Sequence, residues 1–235
     1  MAYKLTNALA PLSDAYGRWR ASQLGQITDH IEERLIVELV GPPAGLRILD
    51  VGCGDAALVV ALSQRGARMT GVDVDPNMLA AGRARAAASG VAPDLMQGEI
   101  RALPFADSSF DIVVAVTVLC FVDDAAQAVR EMTRVLRPGG RLVIGELGRW
   151  NLWAARRRMR GWLGSRVWQL ATFRTVRELK DLVANAGLAI TTIRGAVYYP
   201  PSAPIAALLA RYDAWMGKRT TAGAAFLVVV GKKPA

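Results

Sequence analysis

Two aspartates flank a glycine-rich turn in the stretch "LDVGCGDA". Gly52 and Gly54 allow a tight turn and let a ligand approach the backbone closely. A dinucleotide would place its pyrophosphate on such a turn, against the following helix. Asp50 and Asp55 would oppose that dianion, at a cost on the order of several kcal/mol in a site of reduced dielectric. The turn therefore favours a ligand that carries an ammonium and no phosphate.

Two further acids follow at positions that a nucleoside can meet. Asp73 ends the run "RMTGVD", and a carboxylate there accepts hydrogen bonds from both ribose hydroxyls. Glu99 can accept from an adenine amino group, with Ile100 packed on the ring. An ammonium, a ribose and an adenine are all present in S-adenosylmethionine. We therefore predict this compound, rather than NAD, as the cofactor.

Short apolar runs alternate with helical patterns along the chain and predict the elements that position these acids. The predicted strands are "LRILDVG", "RMTGVDV", "DLMQGE", "FDIVVAVTVLCF", "RLVIGEL", "AITTIRGAVYY" and "GAAFLVVVGKK". The predicted helices are residues 14–40, "DAALVVALSQRG", "PNMLAAGRARAAASG", "DDAAQAVREMTRVL" and "TVRELKDLVANAG". This alternation predicts an α/β fold with a doubly wound sheet, whose ligand lies at the carboxyl ends of the strands.

Composition narrows the class of protein. The chain has 235 residues, of which 52% are hydrophobic and 21% charged, as expected for one globular domain. Two cysteines, Cys53 and Cys120, argue against a disulfide framework, and neither has metal-ligand spacing. No signal peptide or bilayer-spanning run is recognised. We expect a cytoplasmic protein without a metal.

Taken together, the motifs resemble those of class I S-adenosylmethionine-dependent methyltransferases, in the group of small-molecule and ubiquinone/menaquinone-type enzymes. The resemblance covers about residues 46–146 and rests on "ILDVGCGDA", "GVDVDPNML", "GEIRALPFADSSFDIVVA" and "EMTRVLRPGGRLVIGE". It implies a Rossmann-like sheet of seven strands in the order 3-2-1-4-5-7-6, with an antiparallel last strand and helices on both faces. It also implies a helical insertion after the fifth strand.

The resemblance also implies roles for individual residues. It implies that Asp50, Gly52, Cys53 and Gly54 border the methionine end of the cofactor. It implies that Asp73 and Val74 hold the ribose and that Glu99 and Ile100 hold the adenine. Val116 is expected to contact the cofactor through its backbone. Tyr16 and Arg20 match loosely the N-terminal residues that cap the cofactor carboxylate. Two departures are a glutamate at position 99, where aspartate is commoner, and "LCFVDD" after the fourth strand, where a histidine is frequent.

Methyl transfer from a sulfonium is an in-line displacement that the cofactor itself activates, so the protein mainly supplies position and desolvation. His30 is the single histidine of the chain, and a catalytic role for it is disfavoured. If a base is required, the candidates by position are Tyr16, Glu146, Tyr198 and Tyr199. Cys53 and Cys120 are predicted to lie near the reacting methyl as small buried residues.

A basic, tryptophan-rich segment follows the fifth predicted strand. Residues 149–180 hold nine Lys/Arg and one acid, within a net charge of +9 for the chain. At about 100° per residue, one arc of a helix gathers Leu152, Ala155, Met159, Trp162 and Leu163. We expect this arc to pack over the mouth of the site. Three interpretations stay open: a structural cap, a membrane-surface anchor, or a pocket for an anionic or aromatic substrate. Candidate acceptor contacts are Cys120, Trp153, Trp162 and Trp168.

One domain over residues 1–235 is expected to have four parts: an N-terminal helical cap (1–43), a cofactor-binding core (44–148), a basic aromatic cap (149–173), and a C-terminal helix and strands (174–235). The predicted function is methyl transfer to a small, apolar or aromatic acceptor at O, N, S or C. Alternatives are a membrane-associated lipid or quinone acceptor, reached by peripheral membrane contact, or a non-catalytic cofactor-binding module. Nucleic acid is disfavoured, because the fourth strand lacks an Asn/Asp-Pro-Pro-aromatic tetrad. The oligomeric state is not predicted.

Overall fold

A computed structural model of the chain describes residues 17–235, and its strands there form one seven-stranded sheet. Their order is β3-β2-β1-β4-β5-β7-β6. Their bounds are β1 Arg47–Val51, β2 Arg68–Asp73, β3 Asp94–Gln97, β4 Phe110–Val116, β5 Leu136–Leu147, β6 Ala189–Ala196 and β7 Phe226–Lys232. Strand β7 runs antiparallel to β5 and β6, whereas the pairs among β1 to β5 are parallel. The predicted sheet is thus confirmed.

Helices cover both faces of this sheet. Their bounds are α1 Gln23–Val40, α2 Ala57–Ser63, α3 Pro76–Ala88, α4 Ala125–Val135, α5 Leu152–Trp162, α6 Arg166–Leu170, α7 Val176–Asn185 and α8 Ala203–Gly217. Alternate residues of β1 enter different cores: Leu49 packs with α4 and α7, and Ile48 packs with α1, α2 and α3. None of the helices formed by residues 17–235 is both long and apolar enough to cross a bilayer.

The N-terminal helix predicted over residues 14–40 is interrupted. Residues 14–16 lie outside the described residues, 17–21 are helical, and α1 begins at Gln23. Ser22 is extended and its hydroxyl accepts a hydrogen bond from Gly25 N, 3.1 Å away, which caps α1. A Cβ on Gly25 would lie 1.9 Å from the carbonyl oxygen of Trp19, so this sharp corner requires glycine.

Helix α8 is absent from the elements predicted by sequence, although its apolar residues recur at helical spacing from Ile205. It packs against α1 and β6. The carboxylate of Asp213, 3% exposed, accepts hydrogen bonds from Val197 N at 3.0 Å and Tyr198 N at 2.9 Å. A buried acid therefore fixes the helix to the end of β6, an interaction that no local pattern reveals.

Helix α5 forms within the predicted segment, but the side that was predicted to pack inward faces solvent. Its predicted inner arc is exposed: Leu152 is 64% exposed, Met159 51% and Trp162 85%, and Leu163 beyond it 80%. The expectation that this arc packs over the site is wrong. Instead Trp153, 6% exposed, faces inward and donates from its indole Nε1 to Tyr199 O at 2.8 Å. A satisfied indole hydrogen bond favours this orientation over one chosen by apolarity alone.

Replacing Asp213 should destabilise the fold. We expect Asp213→Ala to lower the free energy of unfolding by about 3 kcal/mol, because two backbone N–H groups lose a charged acceptor. Urea denaturation followed by circular dichroism measures this loss. Asp181, whose side chain is 63% exposed, provides the control, and Asp181→Ala should change stability by less than about 0.5 kcal/mol. Equal losses for the two variants would contradict the anchoring role of Asp213.

Candidate functional site

A cavity of about 690 Å³ lies over the carboxyl ends of the strands. Its floor comes from the ends of β1, β2 and β4, and its walls come from α1, α5 and α6. Doubly wound sheets bind ligands at this edge, where strand order reverses. The volume is within the range of about 300–1,000 Å³ typical of ligand sites. It leaves space for a nucleoside and a small second molecule.

Glycine is required where the chain turns out of β1. Gly52 has φ +75° and Gly54 has φ +53°, both in the left-handed region. A Cβ on Gly52 would also lie 2.4 Å from Cγ2 of Val118, which follows β4. The turn after β1 and the loop after β4 are thus in contact, and both line the cavity.

Asp73 connects this turn to the end of β2. Its Oδ2 accepts from Gly54 N at 2.8 Å, and its Oδ1 accepts from Asp75 N at 2.9 Å. A carboxylate offers about four lone-pair positions, so two such bonds leave others for a ligand. Burial raises the pKa of Asp73, and the two backbone hydrogen bonds lower it.

Asp50 is a buried carboxylate at the cavity that has no partner among the described residues. It is 3% exposed, it lines the cavity, and no hydrogen bond or ion pair from residues 17–235 reaches it. Burial, followed by the charge of Asp73, raises the pKa of Asp50 to about 7. A buried carboxylate in this state favours a cationic ligand group, which would restore its ionised form.

Asp55 differs from Asp50, and this corrects the pairing of the two acids assumed from sequence. Both oxygens of Asp55 lie 3.0 Å from Nη1 of Arg20, and Arg85 forms a second ion pair with it. Arg20 also donates from Nη2 to Asp29 at 2.6 Å. Asp55 is therefore neutralised, and the electrostatic argument against a phosphate rests on Asp50.

Glu99 also has a basic partner. Its carboxylate accepts from Nε of Arg101 at 3.1 Å and from Nη2 at 3.2 Å, and this bonding lowers the pKa of Glu99. The described residues predicted to contact the cofactor all line the cavity: Arg20, Asp50, Gly52, Cys53, Gly54, Asp73, Val74, Glu99, Ile100 and Val116. Tyr16 lies outside the described residues.

The residues predicted on the acceptor side divide into two groups. Trp153 and Trp168 line the cavity. Trp162 is 85% exposed and is not among the lining residues. Cys120 is not among the lining residues; it is buried with Leu147, Ala154 and Phe173, and its thiol donates to Thr117 O at 3.2 Å. Cys53 does line the cavity, and burial raises its pKa, which keeps it a neutral thiol.

Three of the candidate bases have structural partners away from the cavity. Glu146 is fully buried and accepts from Leu119 N at 2.8 Å. Burial raises its pKa to about 7, and Arg174, 4.0 Å away, lowers it. Tyr199 Oη lies 3.0 Å from Thr28 Oγ1, and Tyr198 Oη donates to Thr220 O. None of the three is a cavity-lining residue.

Among the charged groups that line the cavity and that the sequence analysis missed are Glu32 and Arg157. Burial raises the pKa of Glu32 to about 8, and the charge of Arg157 opposes this rise. The Arg157 guanidinium lies 5.2 Å from the ring centroid of Trp153 and 4.9 Å from that of Trp168. One signal was present, because Glu32 lies four residues before Ile36 and therefore on the buried side of α1.

Across the described part of the chain, no three His, Cys, Asp or Glu side chains are arranged to hold a metal ion. His30 is exposed on α1. Carboxylates, arginines and aromatic rings line the cavity. The geometry defines a Rossmann-type site for a ligand with a positively charged group.

Comparisons with known proteins identify the family. A family model described as a methyltransferase domain matches residues 49–144. A ubiquinone biosynthesis O-methyltransferase of Methylobacterium sp. (strain 4-46) is 34% identical over 168 residues, which are 68% of this chain and 67% of that protein. The methyltransferase GfsG of Streptomyces halstedii is 36% identical over 146 residues, 60% of this chain and 47% of that protein. The chain thus spans about two thirds of the first relative and half of the second.

Solved structures share the fold. A Thermotoga maritima protein described as a methyltransferase dependent on S-adenosylmethionine, and possibly a histamine N-methyltransferase, has a TM-score of 0.74 at 24% identity, over 97% of this chain and 99% of that one. The [4+2]-cyclase SpnF has a TM-score of 0.65 at 22% identity, over 86% and 81%. The chain belongs to the S-adenosylmethionine-dependent methyltransferases, and S-adenosylmethionine is its cofactor. The unpartnered Asp50 carboxylate fits the ammonium of this cofactor.

The pKa of Asp50 predicts how cofactor affinity depends on pH. A carboxyl with pKa about 7 must lose its proton before it can pair with an ammonium. Binding of S-adenosylhomocysteine should therefore tighten by up to about tenfold per pH unit below pH 7. It should weaken again only in the alkaline range, where the α-amino group of the ligand loses its charge. Isothermal titration calorimetry over this range measures both limbs.

Asp50→Asn is the matched variant for this measurement. It should bind S-adenosylhomocysteine more weakly at neutral pH and should lack the tightening below pH 7, because an amide does not titrate there. If the affinity of the variant still rises with pH below pH 7, a group other than Asp50 causes that rise. If the affinity of the unchanged protein does not depend on pH below pH 7, the proposed pairing of Asp50 with the ligand's ammonium is contradicted.

Proposed function

We propose that the protein transfers a methyl group to a small, apolar or aromatic acceptor that binds beneath the basic aromatic cap (149–173). One observation carries the proposal: the cavity continues beyond the strand ends into a chamber with mostly apolar walls. Its lining there includes Val118, Phe121, Val122, Leu147, Trp153 and Trp168. Such walls exclude water and hold a flat, apolar molecule.

The cofactor roles follow from the placement of each residue. S-adenosylmethionine, when bound, supplies an electrophilic methyl group on a sulfonium. In this proposal, Asp50 receives the ammonium, and Asp73 accepts from the ribose hydroxyls with the lone pairs that Gly54 and Asp75 leave free. Gly52, Cys53 and Gly54 contact the methionine end, and Val74 contacts the ribose. Glu99 and Ile100 contact the adenine, and Val116 contacts the cofactor through its backbone.

Glu32 is our proposal for the group that takes a proton from the acceptor. It faces the cavity, whereas Glu146, Tyr198 and Tyr199 have partners elsewhere. Its pKa of about 8 is close to neutrality, where a general base is most effective. The positive charge of Arg157 lowers the pKa of Glu32 and so favours its ionised form. Tyr16, outside the described residues, stays an untested alternative.

A hydroxyl on an aromatic ring is the acceptor that we favour. The support is the relatives named ubiquinone biosynthesis O-methyltransferase, of which the first is 34% identical over 67% of its own length. Trp153 and Trp168 both line the cavity, and their aromatic rings suit contact with a flat ring. An acceptor with a long apolar tail, such as a lipid or quinone precursor, is the second candidate, favoured by the exposed apolar side chains of α5.

A panel experiment tests the proposal. Methyl-labelled S-adenosylmethionine is incubated with hydroxylated aromatic compounds, each tested with and without a prenyl tail. We expect label to enter at least one phenolic product, with one S-adenosylhomocysteine formed per methyl transferred. Transfer to an amine or thiol panel but to no phenol would reject the oxygen acceptor. Cofactor binding without transfer to any panel member would oppose the proposed acceptor class.

Two tryptophans form a matched pair for the acceptor site. Trp168→Ala should raise the KM for the acceptor by at least about tenfold, because an aromatic wall is lost from the chamber. Trp162→Ala should leave KM within about twofold, since this side chain is 85% exposed and lies outside the cavity. Both variants should keep the affinity for S-adenosylhomocysteine. If cofactor affinity collapses in Trp168→Ala, the tryptophan is a cofactor contact and the assignment is wrong.

The role of Glu32 predicts a pH profile. For the unchanged enzyme, kcat/KM should rise with pH and level off above about 8, as Glu32 loses its proton. Glu32→Gln should lower kcat by about 10²–10⁴ and remove this limb. Glu38, an exposed residue of the same helix, gives the control Glu38→Gln, for which the profile should be unchanged. A normal limb in Glu32→Gln would exclude Glu32 as the base.

A further inference from the structure

Large apolar side chains face solvent in two segments of the described residues. The first segment exposes Trp150, Leu152, Met159, Trp162, Leu163 and Leu170, and the second exposes Ile205, Leu208, Leu209, Tyr212 and Trp215. We call these eleven side chains the outer apolar face. Soluble monomers seldom expose large apolar patches without a binding role.

Helix α8 shows the arrangement most clearly. Its exposed residues recur at i, i+3, i+4, i+7 and i+10 from Ile205 and form one apolar stripe. Its opposite side, packed against the body, presents Ala206, Asp213 and Gly217. A surface helix of a globular protein ordinarily buries its apolar stripe. This one buries small and acidic residues and leaves the stripe outside, so packing among residues 17–235 does not explain the stripe.

The two segments are joined in space. Trp153 of α5 donates to Tyr199 O at 2.8 Å, and Nη1 of Arg156 donates to Pro201 O at 3.0 Å. The loop that receives both hydrogen bonds leads directly into α8 at Ala203. The start of α5 and the start of α8 are therefore fixed to each other.

Positive charge accompanies the outer apolar face. Residues 149–170 and 198–222 contain nine Lys/Arg and one acid, Asp213. That acid is 3% exposed, and three of the arginines, Arg156, Arg157 and Arg160, line the cavity. The basic residues outside the cavity are Arg149, Arg158, Arg166, Arg211, Lys218 and Arg219. Arginines also lie over exposed aromatic rings: the guanidinium of Arg211 is 4.8 Å from the Tyr212 centroid and that of Arg219 is 4.2 Å from Trp215. Arginine beside tryptophan and tyrosine is suited to a lipid headgroup region.

We propose that the outer apolar face docks on the surface of a lipid bilayer that contains anionic lipids. The apolar side chains would enter the boundary between headgroups and acyl chains, and the arginines would reach lipid phosphates. Charge complementarity selects this occupant. A second copy of the chain on a two-fold axis would bring the same basic surface against itself. A nucleic acid would match the charge but not the apolar stripe.

Docking would also orient the cavity. Ser165 and Val167 line the cavity and follow Trp162 and Leu163 closely in the chain. The cavity wall would then lie next to the bilayer, where acceptors with long apolar tails reside. This consequence rests on the proposed function, whereas the docking itself does not.

Vesicle sedimentation tests the docking with the full chain. We expect the protein to pellet with vesicles of phosphatidylcholine and phosphatidylglycerol, to pellet far less with phosphatidylcholine alone, and to be released by salt. Trp162→Ser and Trp215→Ser should each weaken binding by at least about tenfold. Replacing Arg211 and Arg219 by serine should weaken it by about fivefold per arginine. Arg130→Ser, on the exposed side of α4, is the charge-matched control and should bind normally.

Two results would overturn the proposal. One is a lack of dependence on anionic lipid, seen as equal pelleting of the unchanged protein with both vesicle types or as no pelleting with either. The other is a dimer in light scattering that Trp162→Ser and Trp215→Ser dissociate, which would make a second copy the occupant. Calorimetry with S-adenosylhomocysteine confirms that each variant is folded. Because sedimentation needs no methyl transfer, its failure is distinct from a failure of the proposed function.

Discussion

The candidate site depends on one carboxylate that is shared between two loops. Asp73 accepts backbone hydrogen bonds from Gly54 and from Asp75, and so it holds the turn after β1 against the end of β2. The turn can pass close to Val118 only because Gly52 lacks a Cβ. With these loops fixed, Asp50 is held at the cavity without a protein partner, which is the electrostatic feature that a cationic cofactor satisfies.

The cap formed by α5 and α6 carries different side chains on its inner and outer surfaces. Three of its arginines, Arg156, Arg157 and Arg160, and two of its tryptophans line the cavity. Its large apolar side chains, such as Leu152, Met159 and Trp162, face solvent. A cap that only covered the sheet would bury its apolar arc and expose its arginines. The opposite arrangement makes the inner surface suitable for an aromatic acceptor and the outer surface suitable for a lipid headgroup layer.

Sequence alone was sufficient for the sheet and for the positions of the cofactor acids, because buried parallel strands and glycine turns leave strong local patterns. It was insufficient where tertiary contacts outweigh periodicity. Helix α8 is held by the buried Asp213 rather than by an apolar stripe, and α5 is oriented by the indole hydrogen bond of Trp153. Glu32 was missed because its raised pKa comes from burial at a cavity whose walls are distant in sequence.

The central claim is that this cavity binds S-adenosylmethionine rather than a dinucleotide. A calorimetric titration of the unchanged protein with S-adenosylhomocysteine, followed by NAD, tests it most directly. The account predicts saturable binding of S-adenosylhomocysteine with one site per chain, and no displacement of it by NAD. Saturable binding of NAD at the same site, with none of S-adenosylhomocysteine, would contradict the account, because the unpartnered Asp50 would then oppose the ligand that binds.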